Sequence, residues 1–216
     1  RMLLMLKMLL IVIAAALAMG LCLPMFMRVK PLRTPQRLMW KGLGTTCGLV
    51  LALVGAAQGG GSRWLCMAGL ALCVAADIML ELRFMVGMGL FIGGHLCYIT
   101  WFLRRSAFGR VQIITFAVLL LIAVCLLIRW SPLIGRRMIP FTIYALILCT
   151  MGACGVGCIR GTLPGMLTAL GAVMFVISDA MVCRGVIARV PRSLDWAAMI
   201  LYYAAQLCFG SAALLM

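Results

Sequence analysis

Two aspartates lie inside long apolar stretches of the sequence, and they are the residues best suited to chemistry. The chain has only four acidic residues in all. Asp179 lies in the run FVISDAMV, with no other charge between Met166 and Cys183, and Asp77 lies in the apolar run CVAADIML. A carboxylate in such a setting costs several kcal/mol unless it is paired, hydrogen-bonded or protonated. We therefore expect both aspartates to have a function.

The two aspartates hold matching positions in an internal repeat. The segments GLALCVAADIML (69–80) and GAVMFVISDAMV (171–182) align at a constant offset of 102 residues, with four identities. This offset predicts a duplication of four plus four spans, with half-repeats 1–105 and 106–216 in a single membrane domain, 1–216. Parallel halves related by an axis along the membrane normal would place Asp77 and Asp179 at equal depth, facing each other.

Other polar side chains are predicted to surround this pair. His95 and Tyr98 are three residues apart, as are Tyr203 and Gln206, so each pair shares one helix face. Residues of this kind at equal depth are expected to converge on one cavity in the cytoplasmic half of the helix bundle. The supporting residues predicted for the site are Glu81, His95, Tyr98, Tyr144, Tyr203 and Gln206.

Each supporting residue also has a structural alternative. Polar side chains at membrane depth form hydrogen bonds between helices, which is the alternative role for Tyr144, Tyr202 and Gln206. The alternative role for His95 is that of a core histidine whose hydrogen bonds are satisfied. The alternative role for Glu81 is an ion pair with Arg83 across a turn. The two aspartates are costlier to bury, so a functional role is the default interpretation for them.

A pair of buried carboxyl groups favours acid–base hydrolysis. Two close carboxyl groups in a low dielectric do not both ionise easily, so one can donate a proton while the other acts as a base. Two-carboxylate glycosidases use this arrangement, and it suits an acetal-like or enol-ether bond. The sequence has one His, which excludes a His-rich zinc site, and it has no G-x-S-x-G, Walker or dinucleotide-binding motif. No metal or organic cofactor is expected. The alternative is a small proton-coupled transporter or lipid-binding membrane protein without hydrolase activity.

The elements that must position these residues are transmembrane helices. The chain of 216 residues is 66% hydrophobic and 11% charged, with a mean hydropathy of +1.21, far from the composition of soluble domains. Its apolar runs match the thickness of a bilayer and lack the alternation of barrel strands. The predicted fold is an all-α polytopic bundle of about eight spans: 4–26, 38–57, 64–82, 86–103, 111–129, 138–159, 163–183 and 196–214.

The basic residues predict the orientation of the bundle. Twelve Lys and Arg residues fall in breaks on one side and seven on the other. The richer side is expected to be cytoplasmic, which puts both termini outside. The net charge of +15 is explained by topology signals and contacts with lipid headgroups, so the bilayer is an expected partner and nucleic acid is not. No pattern in the sequence assigns an oligomeric state.

The chain resembles the YhhN family of membrane lysoplasmalogenases in five short motifs. These follow one another in the family's order: KP (30–31), AADIML (75–80), FMVGMGLFIGGHLCYI (84–99), GAVMFVISDAM (171–181) and YYAAQLC (202–208). One difference is Ala76, where we expect the family to have Gly, and alanine is also small.

The resemblance implies an eight-span hydrolase that cleaves the vinyl-ether bond of lysoplasmalogens. The products would be a fatty aldehyde and a glycerophospho-alcohol. It implies that Asp77 and Asp179 form the active site, with either one as the acid, and that His95 and Tyr98 orient water or tune the pair. Lys30, together with Arg33 or Arg83, would hold the lipid phosphate. The substrate partner would be a lysophospholipid, and the sequence does not assign its headgroup.

Overall fold

A computed structural model describes residues 2–32 and 34–216, and these residues are helical apart from short connections. Within them there is no β-strand, which confirms the predicted all-α class. A π-helical segment, Ala16–Cys22, joins the first two helices, and 3-10 turns occupy Lys30–Leu32 and Gly135–Arg137. The α-helices are α1 (Met2–Ala15), α2 (Leu23–Val29), α3 (Gln36–Gly59), α4 (Arg63–Leu82), α5 (Phe84–Leu103), α6 (Arg110–Ile134), α7 (Met138–Val156), α8 (Leu163–Ile187) and α9 (Arg192–Leu215).

Local sequence signals set the ends of these helices. The residues that follow α3 and α6 are Gly60 and Gly135, where φ is +59° and +56°, a conformation that favours glycine. Thr162 caps α8 by accepting a hydrogen bond from the Gly165 amide at 3.3 Å. Arg83 is extended, with φ of −141°, and separates α4 from α5. Each reversal therefore falls in a short break between apolar runs.

Seven helical segments are long and apolar enough to cross a membrane, whereas the sequence predicted eight spans. The difference lies in Arg110–Val156, a continuous helical segment of 47 residues that covers two predicted spans. Its two parts, α6 and α7, pack against each other because Gly135 reverses the chain between them. The protein is thus a polytopic helical membrane protein, as predicted.

Helix α9 forms the centre of the bundle. It packs against α8 and α3, with further contacts to α1 and α4. The contact between α3 and α9 is close enough to require glycine: a Cβ at Gly48 would lie 2.7 Å from the Gln206 carbonyl oxygen, and one at Gly210 would lie 2.3 Å from the Gly48 oxygen. By contrast, α6 buries only Gln112 and Ile134 and presents an apolar outer face.

Both chain termini lie at the same end of the bundle. The Lys7 ammonium group donates a hydrogen bond to the Leu214 carbonyl oxygen at 2.7 Å. The pairs α4–α5 and α8–α9, the counterparts in the predicted duplication, are each closely packed neighbours. The duplication itself, with its half-repeats 1–105 and 106–216, stays a prediction.

Candidate active site

Asp77 lies on α4 in a polar pocket built by three helices. Its side chain is 1% exposed. One carboxylate oxygen, Oδ2, accepts hydrogen bonds from the Thr45 hydroxyl at 2.5 Å and from the Tyr202 hydroxyl at 2.9 Å. The other, Oδ1, lies 3.8 Å from the Lys41 ammonium nitrogen. A cation from α3 and hydroxyl groups from α3 and α9 thus compensate the buried carboxylate.

Lys41 connects Asp77 with a second carboxylate nearer the helix ends. Its ammonium nitrogen lies 3.4 Å from Glu81 Oε1, and Arg37 lies 3.4 Å from Glu81 Oε2. Because Glu81 follows Asp77 by one helical turn, both acids face α3. The predicted alternative, an ion pair between Glu81 and Arg83, is wrong: the partners of Glu81 come from α3.

Asp179 lies on α8 and has a different set of partners. Its Oδ2 accepts a hydrogen bond from the Tyr144 hydroxyl of α7 and lies 3.5 Å from His95 Nε2 of α5. His95 Nε2 also lies 3.3 Å from the Tyr144 hydroxyl oxygen. The three groups form a compact buried triad, and His95 Nδ1 has no hydrogen-bond partner among the described residues.

Aromatic rings lie between the two carboxylate sites. The Phe175 ring centroid lies 4.9 Å from that of His95 and 5.5 Å from that of Tyr202, edge-on in both cases. Phe91 meets Tyr202 edge-on at 6.1 Å and Phe175 at 6.4 Å. Aromatic faces carry negative charge density, so this wall can stabilise a positive charge that develops beside it.

Asp77 and Asp179 line one cavity. Its volume is about 50 Å³, and Lys41, Tyr144 and Tyr202 contribute to its wall along with apolar side chains. The acidic residues of α4 and α8, predicted to face each other, therefore share one internal space. Towards the α4 C-terminus the cavity adjoins a wider vestibule of about 460 Å³, because Lys41 and five apolar residues line both spaces. The charged residues of the vestibule are Lys30, Lys41, Glu81, Arg189 and Asp195.

Of the seven predicted supporting residues, Tyr144 lines this cavity. Lys30 and Glu81 line the vestibule, and His95 is fully buried behind the cavity wall. The other three, Tyr98, Tyr203 and Gln206, form hydrogen bonds elsewhere in the bundle. The Tyr98 hydroxyl donates to Gln206 Oε1 at 2.8 Å, so these two side chains bind each other between α5 and α9. The Tyr203 hydroxyl donates to the Lys41 carbonyl oxygen at 3.0 Å, away from the acids. For Gln206 the contact matches the alternative role of a hydrogen bond between helices, although Gln206 Nε2 is buried and has no partner among the described residues.

Lys30 lies in the vestibule and is already paired. Its ammonium nitrogen is 2.9 Å from Asp195 Oδ2, and both side chains are about one third exposed, at 34% and 32%. Arg83, an alternative phosphate ligand from the sequence, is exposed. Arg33, the other, lies outside the described residues. Within residues 2–32 and 34–216, no group of three or more His, Cys, Asp or Glu residues is arranged to hold a metal ion.

Sequence reasoning missed Lys41 and Thr45 as parts of the site. Lys41 was counted among the topology signals, yet a lysine at the edge of an apolar span, four residues before a threonine, puts two polar groups on one helix face. That spacing was the available signal. No pattern in the sequence shows that Tyr202 and not its neighbour Tyr203 contacts Asp77, because this depends on how α9 packs against the other helices.

An all-helical bundle with two buried acidic side chains on one internal cavity defines a polytopic membrane protein with a polar site in its core. The model of the YhhN family matches residues 36–213. The chain belongs to the YhhN family.

Two curated relatives, both called Lysoplasmalogenase, come from Mycobacterium bovis (strain ATCC BAA-935 / AF2122/97) and Mycobacterium tuberculosis (strain CDC 1551 / Oshkosh). Each is 32% identical to this chain over 133 residues, which cover 57% of this chain and 49% of the relative. The chain thus spans about half the length of the curated relatives it matches. No solved structure matches it.

Proposed function

We propose that this protein is a membrane hydrolase that cleaves the vinyl-ether bond of lysoplasmalogen-type lysophospholipids to a fatty aldehyde and a glycerophospho-alcohol. The observation that carries the proposal is that Asp77 and Asp179, on different helices, line one small buried cavity. Membership of the YhhN family and the two relatives called Lysoplasmalogenase support the same activity.

The proposed reaction is acid-catalysed hydration of an enol ether. One aspartic acid delivers its proton to the vinyl carbon remote from oxygen, which leaves an oxocarbenium ion at the carbon bonded to oxygen. The other aspartate stabilises this cation and takes a proton from water as the water oxygen bonds to that carbon. The hemiacetal then breaks its bond to the glycerol oxygen, which takes a proton and leaves as an alcohol, and the aldehyde is released. Overall, one water is consumed and no oxidant is needed.

The neighbours of the two acids suit these steps. Tyr144 and His95 lie against Asp179, and Thr45, Tyr202 and Lys41 lie against Asp77. Hydroxyl donors fix the orientation of each carboxyl group, which is the preorganisation on which acid–base catalysis depends. The ring of Phe91 lines the cavity, where an aromatic ring would lower the energy of the developing cation.

The vestibule is the proposed site for the polar end of the substrate. Lys30 and Arg189 supply positive charge there, and a lipid phosphate would displace Asp195 from Lys30. The vestibule lies at the end of the bundle opposite the termini, since Glu81 and Asp195 mark the C-terminus of α4 and the N-terminus of α9. By the distribution of basic residues, this end faces the cytoplasm and both termini lie outside. Reporter fusions at either terminus test this: a signal from the cytoplasmic side would contradict it.

The decisive experiment measures aldehyde release from a 1-alkenyl lysophospholipid by purified protein. Asp77→Asn and Asp179→Asn should each lower kcat by at least about 100-fold, the usual contribution of a general acid or base. Binding of the saturated 1-alkyl analogue, which cannot react, serves as the control for folding. Absence of aldehyde from the wild type with every 1-alkenyl lysolipid would refute the hydrolase and leave the transporter or lipid-binding protein as the alternative.

A further inference from the structure

The cavity between the aspartates is too small to hold a whole substrate. Its volume of about 50 Å³ accommodates reacting atoms and a water molecule, whereas ligand pockets commonly measure about 300–1,000 Å³. A lipid whose reactive bond reaches Asp77 and Asp179 must therefore extend out of the cavity in two directions, one for its polar end and one for its chain.

An apolar groove begins at the wall of this cavity. It lies between α6, α7 and α8 and has a volume of about 90 Å³. Tyr144 and Cys183 line both the cavity and the groove. Apart from Tyr144 and the indole of Trp130, the lining is hydrocarbon or thiol, with Ala123, Leu148 and Val176 as examples. The same tyrosine that binds Asp179 thus stands where the polar cavity gives way to an apolar path.

The groove widens towards the outer surface of the bundle. It continues into a space of about 400 Å³ between α6 and α8, and six residues line both parts: Leu119, Ile122, Leu126, Trp130, Val176 and Ala180. This surface belongs to spans, and Ile122 on its edge is 51% exposed. Apart from Arg184 and the indole of Trp130, the residues that line this opening are apolar. In a bilayer the opening faces acyl chains, so hydrocarbon can pass from the membrane into the groove.

The other continuation of the cavity is polar. The vestibule carries Lys30, Arg189 and their acidic neighbours, and it adjoins the cavity at the helix ends. A single-chain lysolipid has the same division, with a phosphate at one end, a long chain at the other and the reactive bond between them. A second apolar groove, lined by residues such as Leu10 and Val50 on α1 and α3, shares no lining residue with the cavity.

We propose that the groove between α6, α7 and α8 binds the hydrocarbon chain of the lysolipid, which enters sideways from the bilayer. This inference rests on the proposed function and locates the chain of the same substrate. With the phosphate in the vestibule and the chain in the groove, the bond next to the first chain carbon lies in the cavity between them.

Photolabelling tests the location of the chain without requiring catalysis. The probe is a 1-alkyl lysophospholipid with a diazirine at the chain end, and the protein is in lipid nanodiscs. Labels are expected on α6 and α8 along the groove, above the background given by a two-chain phospholipid with the same diazirine. Labels at the α1–α3 groove, or a pattern equal to the background, would overturn the proposal. Labelled groove residues in a protein that releases no aldehyde would refute the hydrolase alone.

Filling the groove supplies a second test. Ala123→Phe places a ring in the groove, and Ala117→Phe adds the same ring to the exposed face of the same helix as a control. Each methylene excluded from the groove costs about fourfold in kcat/KM, so Ala123→Phe should lower kcat/KM for long chains by about tenfold or more. Short-chain substrates should be nearly unaffected. Equal chain-length profiles for both variants and the wild type would contradict the chain site.

Discussion

The ammonium nitrogen of Lys41 lies 3.8 Å from the carboxylate of Asp77, inside the bundle, where the two side chains are only 8% and 1% exposed. Neither charge is fully satisfied by this contact alone. Thr45 and Tyr202 complete the shell of Asp77, and Glu81 completes that of Lys41. The pair therefore joins α3 to α4 at the mouth of the cavity, and it ties the stability of the fold to the integrity of the site.

Removing the cation of this pair should destabilise the protein. Lys41→Met leaves Asp77 as a buried carboxylate without its cation, and breaking such a pair costs about 3–5 kcal/mol in the free energy of unfolding. Lys30→Met, which breaks the ion pair with Asp195 whose side chains are about one third exposed, should cost under about 1 kcal/mol. Denaturation in detergent micelles compares the two variants.

A double-variant cycle separates the pair from simple loss of packing. Lys41→Met combined with Asp77→Asn should cost less than the sum of the two single changes, because no charge is then left alone. Strict additivity would contradict the coupling that the 3.8 Å contact implies.

Two neighbouring threonines give a matched test of the hydrogen bond to Asp77. Thr45 donates to the Asp77 carboxylate at 2.5 Å, whereas Thr46 donates to the Gly42 carbonyl oxygen of its own helix at 2.8 Å. Hydrogen bonds to charged groups contribute about 1.5–3 kcal/mol. Thr45→Val should therefore lower kcat/KM for aldehyde release at least about tenfold, and Thr46→Val should change it less than about twofold. Similar effects of both changes would argue against a role for this hydroxyl.

The hydroxyl of Tyr144 should matter for chemistry more than for binding. Tyr144→Phe keeps the ring where the cavity meets the apolar groove and removes only the donor to Asp179. We expect kcat to fall about tenfold or more, while the Kd of the saturated 1-alkyl analogue stays within about twofold. A change confined to Kd would assign Tyr144 to substrate binding instead.

The vestibule should favour substrates that carry a phosphate group over substrates that lack one. Lys30→Gln removes one positive charge beside Asp195 and should raise KM several-fold for a 1-alkenyl glycerophospholipid. The same variant should act on a phosphate-free 1-alkenylglycerol as the wild type does. An equal rise in KM for both substrates would place the phosphate elsewhere.

The fold class and the burial of Asp77 and Asp179 were predictable from the sequence because a charged residue is costly inside a membrane. Apolar runs of bilayer length leave few alternatives to helices, and Asp77 and Asp179 stood out as carboxylates within them. The position of the turn between α6 and α7 depends on a glycine and not on the hydropathy pattern. The turn at Gly135, with its positive φ, reverses the chain between α6 and α7 inside the helical segment Arg110–Val156, where the sequence predicted two spans.

The contacts within the site depend on how each helix is rotated about its axis, and the sequence pattern does not determine this rotation. His95 and Tyr98 share a face of α5, yet His95 lies against Asp179 while Tyr98 meets Gln206. Tyr202 and Tyr203 are adjacent and therefore point about 100° apart on a helix. Which of them meets Asp77 is settled by the close approach of α9 to α3, a long-range packing property.

The glycine contacts between α3 and α9 have a mechanical consequence. The two backbones are in direct contact, since a Cβ at Gly55 would lie 2.5 Å from the Ala213 carbonyl oxygen, and such close packing resists relative movement. The wall that carries Thr45 and Tyr202 is thus a fixed frame. Helix α6 lines the apolar groove but not the cavity, and it buries only Gln112 and Ile134. We therefore expect a long-chain product to leave along the groove past α6, while α3 and α9 keep their positions.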